Sequence, residues 1–156
     1  RAQAVKLWLL RHGEAEPRAR SDAERALTEH GRKEVRHAAK HLRGVALTKI
    51  LVSPYRRAQQ TAELMRETLG LQLPLTTLDW LTPDDDPRDV LQQLDAEAAD
   101  EYLIVSHNPL LGSLAGLLVH GHLQQPVILH TASLVCLSGE HLLAGGLTLD
   151  ALHHPH

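Results

Sequence analysis

Three short apolar runs, each broken off by charged or hydroxyl-bearing residues at a turn, constrain the fold of this chain more than any other feature. Residues 4–10 (AVKLWLL) stop at Arg11-His12-Gly13, residues 48–52 stop at Ser53-Pro54, and residues 102–105 stop at Ser106-His107-Asn108-Pro109. Runs of this length, bounded by turn residues, fit strands buried on both faces. The intervening segments have helical spacing. Thr28 offers an N-cap to a helix reaching about Arg43 and stopped by Gly44, with Val35, Ala38, Ala39 and Leu42 as its buried stripe. Ser53 and Pro54 open a second helix as capping hydroxyl and first-turn proline. Ala58, Ala62, Met65 and Leu69 line one of its faces before Gly70.

Residues 73–78 read as a third strand. The acidic loop Asp84-Asp85-Asp86-Pro87 leads to a helix over about residues 88–98, its charge favouring that helix N-terminus, and a leucine-rich helix covers about 110–119. Residues 132–137 and 142–152 read as two closing strands. Strands alternating with helices predict a three-layer α/β/α sandwich around a mainly parallel sheet, in a single domain spanning residues 1–156. In such sheets ligands bind beyond the carboxyl ends of the strands. Arg11-His12, Ser53-Pro54 and Ser106-His107 therefore fall on one rim.

Composition limits what that rim can serve. Phe is absent and aromatic residues make up 3 %, so stacking platforms for single-stranded nucleic acid are not expected. A net charge of −3 argues against a general polyanion binder, so any positive cluster must be local. The lone Cys136 reads as a small buried hydrophobe and fits a reducing compartment. No run approaches the roughly 18 apolar residues of a membrane span. The expectation is a cytoplasmic protein without nucleic-acid or membrane partners, with a monomer favoured.

Phosphoryl transfer asks a protein to place a nucleophile and to neutralise charge on the equatorial oxygens. Without a metal, arginine forks and histidines can supply the charge. A neutral imidazole is ionisable near neutrality and forms a labile phosphoramidate.

Arg11-His12-Gly13 after an apolar strand, the block Ser53-Pro-Tyr-Arg-Arg-Ala-Gln-Gln-Thr61, and Ser106-His107 after another strand together resemble the histidine phosphatase superfamily, the phosphoglycerate-mutase-like proteins. The resemblance implies that fold, with His12 as nucleophile and Arg11, Arg57 and His107 binding the phosphoryl group. The family's second-block arginine directly precedes Ala, which selects Arg57 over Arg56; His107 is expected to be protonated. No cofactor and no metal are implied.

The segment Ser21-Asp-Ala-Glu-Arg-Ala-Leu-Thr28 with Gly31, and the short chain, resemble the SixA-type protein phosphohistidine phosphatases within that superfamily. Longer insertions cap the site in relatives acting on sugar phosphates, so an open pocket is expected, able to admit a phosphorylated protein side chain. Asp22 and Arg25 are candidates for its rim, Arg25 as a substrate-binding residue. Trp80 stands where many relatives carry a general-acid Glu. Either Glu14 or Asp79 donates the proton, or no strong acid is used, since a protonated phosphoimidazole leaves as neutral imidazole.

The expected function is hydrolysis of phosphohistidine on a signalling or phosphotransfer protein. The alternatives are a small-molecule phosphomonoesterase and a non-catalytic phosphate-binding module. His37 and His41, four apart on a helix, could offer two metal ligands. No carboxylate motif accompanies them, so a structural role is expected. His153, His154 and His156 read as a polar tail.

Overall fold

A computed structural model describes residues 4–97 and 100–155. The strands are β1 (Val5–Arg11), β2 (Lys49–Val52), β3 (Leu75–Thr77), β4 (Glu101–Ser106), β5 (Leu134–Gly139) and β6 (Thr148–His153). The α-helices are α1 (Glu29–Ala39), α2 (Arg56–Leu69), α3 (Pro87–Leu94) and α4 (Leu110–His120). One six-stranded sheet runs β3-β2-β4-β1-β5-β6. Its first four strands are mutually parallel, while β5 and β6 pair antiparallel. The expected mainly parallel three-layer sandwich is the architecture observed.

The twofold period of the strands builds two cores. Trp8 and Leu10 of β1, Ile50 and Val52 of β2, and Leu103 and Val105 of β4 face one side, against Val35 and Ala38 of α1 and Ala58, Ala62 and Met65 of α2. Leu7, Leu9, Leu51, Tyr102 and Ile104 face the other, against Val90 and Leu94 of α3 and Leu110, Leu114 and Leu118 of α4. Each fully buried Leu or Ile contributes about 1.5–3 kcal/mol relative to exposure. Cys136 lies in the first core, where burial pushes its thiol up to about 11.

Several boundaries differ from the sequence reading for local reasons. Helix α1 ends at Ala39 and tightens into a 3₁₀ turn, Lys40–Leu42, that buries Leu42. Strand β3 begins only after Pro74, which has no N–H for a ladder. Helix α3 is capped by Asp86, whose side chain accepts from the Arg88 N–H, and it stops at Leu94; Ala98, at the expected helix end, lies outside the described residues, as does His156. Strand β6 starts at Thr148 rather than 142, after a turn with Gly145 at φ 72°.

Ser53 does not cap α2. The N-cap residue is Tyr55, without a side-chain cap bond, and the Ser53 hydroxyl points elsewhere. His41 stacks on His153 of β6 at 3.7 Å between ring centroids with planes 6° apart, a packing contact between α1's end and the sheet edge.

Register sets the site. Arg11 pairs with Ser106 and Val52 pairs with Val105, so the residues that follow all emerge at one edge. The ladder continues past the strands: the His12 N–H donates to the Ser106 carbonyl at 3.0 Å and the Ser53 N–H to the Val105 carbonyl at 3.0 Å.

Candidate active site

His12 leaves β1 on a segment that α1 holds in place. A Cβ on Gly31 would sit 2.1 Å from the Glu14 carbonyl oxygen, so only glycine allows the start of α1 to close on residues 13–14. The buried Glu34 of α1 accepts from the Glu14 N–H at 2.8 Å and from the Thr131 hydroxyl at 2.9 Å. From α2, the Thr61 hydroxyl accepts the Gly13 N–H at 3.1 Å and donates to the Arg57 carbonyl at 2.8 Å. Two helices thus fix the backbone immediately after the residue that carries one imidazole.

The tautomer of that imidazole follows from its contacts. His12 Nδ1 lies 2.7 Å from the Gly13 carbonyl, which only accepts, so Nδ1 carries the proton. Nε2 is left with its lone pair and accepts from Arg57 Nε at 3.3 Å. Burial pushes His12 from 6.5 down to about 4 against the Gly13 hydrogen bond that raises it, with Arg57, Arg11 and Arg25 adding to the fall. The ring is neutral at pH 7, with a lone pair available.

His107 faces it, the two ring centroids 5.1 Å apart and the planes tilted by 60°. Ser53 Oγ lies 2.6 Å from His107 Nε2 and accepts from the Tyr55 N–H at 3.2 Å; when the hydroxyl donates to Nε2, the neutral His107 carries its proton on Nδ1. Among the described residues that Nδ1 is buried without a hydrogen-bond partner, as is Arg11 Nε. Buried donors of this kind require a partner, and two in one cluster of cations fit an anion. Burial first, then His12 and Arg57, push His107 from 6.5 down to about 2, so the ring is neutral in the anion-free pocket; the protonated His107 expected from the sequence concerns the phosphoryl-bound state.

Arg57 is 3 % exposed, whereas Arg56 points to solvent, as the sequence reading distinguished them. Arg57 Nη1 donates to the Asp22 carbonyl at 2.6 Å and Nη2 to Asp22 Oδ2 at 3.1 Å, and its guanidinium carbon sits 5.2 Å from the Tyr55 ring centroid. Arg11 Nη1 donates at 2.9 Å to the Leu129 carbonyl, which also accepts from Asn108 Nδ2 at 3.0 Å. Burial lowers the Arg11 pKa, with Glu34 opposing and Arg57 adding to it. Arg25 Nε donates to Asp22 Oδ1 at 2.9 Å, and its Nη1 to the Glu16 carbonyl at 3.0 Å. An open groove lined by Pro17, Arg18, Ala19, Ser21, Asp22 and Arg25 adjoins the pocket, in keeping with the uncapped site expected.

The candidate proton donors are not assembled with the histidines. Glu14 Oε1 accepts from the Thr28 hydroxyl at 2.8 Å, and Asp79 lies exposed in the turn after β3. Among the described residues neither carboxylate is hydrogen-bonded to His12 or His107. Trp80 packs against the second core. Sequence reasoning missed Ser53 and Tyr55 as partners of His107, and Asn108 and Thr61 as supports. All but Asn108 stand inside the quoted second block, and Asn108 directly follows His107. The missing signal was which atoms they would meet.

Comparison with known proteins fits this geometry. Residues 7–82 match the model of the histidine phosphatase superfamily (branch 1). The phosphohistidine phosphatase SixA of Escherichia coli K12 is 38 % identical over 122 residues, covering 75 % of this chain and 76 % of that protein. The structure of the protein histidine phosphatase SixA complexed with tungstate superposes with a TM-score of 0.87 at 33 % identity, covering 97 % of each chain. At the level of fold alone, a phosphoglycerate mutase from Bacillus anthracis superposes at 0.73 with 15 % identity over 96 % of this chain and 93 % of the mutase. With the paired imidazoles and arginines at the carboxyl edge of the sheet and these relatives over most of its length, the chain belongs to the histidine phosphatase superfamily.

Proposed function

We propose that this protein hydrolyses phosphohistidine on a partner protein through a covalent phosphohistidine at His12. The observation that carries the reading is the lone pair on His12 Nε2, fixed by the Nδ1 contact to Gly13 and flanked by Arg57 Nε and the ring of His107. Nε2 attacks phosphorus, the bond from phosphorus to the substrate imidazole breaks, and that imidazole leaves. Water then attacks the phosphoryl group on His12, releasing inorganic phosphate and restoring the lone pair.

Arg11 Nε, Arg57 Nε and His107 Nδ1 supply donors to the equatorial oxygens, the electrostatic part of phosphoryl transfer. The arriving dianion sits against the ring and favours its charged form over the burial and neighbouring charges that otherwise hold His107 neutral, so His107 takes up a proton as the anion binds. No carboxylic acid is required for an imidazole leaving group protonated on its other nitrogen, which agrees with Glu14 being bonded to Thr28 and Asp79 lying exposed in the turn after β3. The groove beside the pocket supports a protein-borne substrate, with Arg25 at its edge.

The test is a panel assayed without added metal: a phosphohistidine-bearing carrier protein, a phosphoserine peptide and a small sugar phosphate. Turnover of the carrier faster than the others by at least about tenfold is expected. Comparable rates on the sugar phosphate favour a phosphomonoesterase, and binding without turnover favours a docking module; either result overturns the reading.

A further inference from the structure

Arg57 meets His12 through one nitrogen only, and the cause lies outside the phosphoryl pocket. Both of its terminal nitrogens are held by one residue of the loop after β1: Nη1 by the Asp22 carbonyl and Nη2 by Asp22 Oδ2. A guanidinium is rigid and planar, so fixing its Nη edge fixes the direction of Nε–H. That direction is His12 Nε2, 3.3 Å away.

Asp22 is itself held from the other side. Its Oδ1 accepts from Arg25 Nε at 2.9 Å, and Arg25 is tied back to the Glu16 carbonyl. Burial pushes the Asp22 carboxyl up, but the hydrogen bond and charge of Arg57, then those of Arg25, outweigh it and hold it below its usual value. An exposed ion pair of this kind would ordinarily matter little. Here the Arg57 side chain is 4 % exposed, and Asp22 contributes two acceptors in a bidentate arrangement.

We infer that Asp22 is a positioning residue for the reaction: it clamps the Nη edge of Arg57 so that Nε–H aims at His12 Nε2 and, in the phosphoenzyme, at the phosphoryl oxygen carried there. This rests on His12 being the nucleophile. Asp22 touches Arg57 and Arg25 and makes no contact with the reacting nitrogen. As an anion beside the pocket it also opposes phosphate binding. Alignment and affinity therefore respond to its removal in opposite directions, which a merely structural role does not produce.

The test compares Asp22→Asn and Asp22→Ala with the wild type in kcat, in inhibition by inorganic phosphate, and in the Arg57 Nε–H resonance. Folding of each variant is checked by thermal melting. A lost alignment of about 1 Å costs on the order of 10²-fold. Asp22→Ala is expected to lose about 10- to 100-fold in kcat and Asp22→Asn less. Phosphate inhibition is expected to be unchanged or tighter in both, and the Arg57 Nε–H signal to be lost or shifted in Asp22→Ala. A kcat within twofold of wild type, or phosphate binding that weakens as much as kcat, overturns the inference. If the wild type forms no phosphohistidine at position 12, the underlying reading fails instead. The Arg57 resonance then still reports whether Asp22 holds the guanidinium.

Discussion

Arg57 Nε donates to His12 Nε2 at 3.3 Å, so the one unprotonated nitrogen of the buried imidazole already faces the group that best neutralises a phosphoryl oxygen. The contact joins β1 to α2 across 45 residues of sequence. It depends on side-chain geometry as well as on charge, and this sets the first expectation. Arg57→Lys keeps the charge but lacks Nε and the planar fork. It is expected to lose on the order of 10²- to 10³-fold in kcat, close to Arg57→Ala, in steady-state assays on the phosphohistidine carrier. Near-wild-type activity in the lysine variant contradicts the account.

Stability should fall in mild acid. His12 has its folded pKa lowered to about 4 and His107 to about 2, each from 6.5. Between these values and 6.5 the unfolded chain binds more protons than the folded one. Their contribution is therefore complete above about pH 6.5 and declines as the pH falls, the His12 part levelling off below about 4. That part is on the order of 3 kcal/mol at pH 4 relative to pH 7. Urea unfolding of the wild type and His12→Gln across pH 4–7 checks it, the variant being expected to show the shallower decline.

Anion binding should take up a proton. Inorganic phosphate or tungstate beside the ring favours protonated His107 against the burial, and then the charges, that lower it, and is expected to raise its pKa through the neutral range. Calorimetric titrations at pH 7 in buffers of different ionisation enthalpy are expected to show uptake in the wild type. The uptake should be reduced in His107→Asn.

Much of this site is legible in the sequence, because its main residues stand at the ends of strands that the apolar runs mark plainly. His12, Arg57 and His107 are brought together as the strand-end rule requires, with Arg11 beside them. What escapes the sequence is pairing at a distance. Ser53-Pro54 reads locally as a helix cap, yet the hydroxyl goes to His107, 54 residues away. The neutral state of His107 in the anion-free pocket is hidden for a related reason: the sequence shows the positive groups but not the burial that suppresses one of them. The overlong final strand reflects an apolar stretch, residues 142–147, that forms a turn from which only Leu142 and Leu147 reach a core while Leu143 stays exposed, so it carries no strand period.

Close backbone approach at Gly31 gives a purely structural expectation. Gly31→Ala places a methyl group 2.1 Å from the Glu14 carbonyl oxygen and must displace residues 13–14 or the start of α1. A loss of about 1–3 kcal/mol in urea unfolding is expected, together with reduced phosphoryl transfer because His12 moves with that segment.

The most direct measurement is single-turnover phosphorylation of the enzyme by a labelled phosphohistidine carrier, followed by peptide mapping of the quenched protein under alkaline conditions that preserve phosphoramidates. The expected result is a transient, acid-labile label on the peptide bearing His12, absent in His12→Ala, whose turnover falls by at least about 10⁴-fold. Full turnover in His12→Ala, or a label on another residue, contradicts the account.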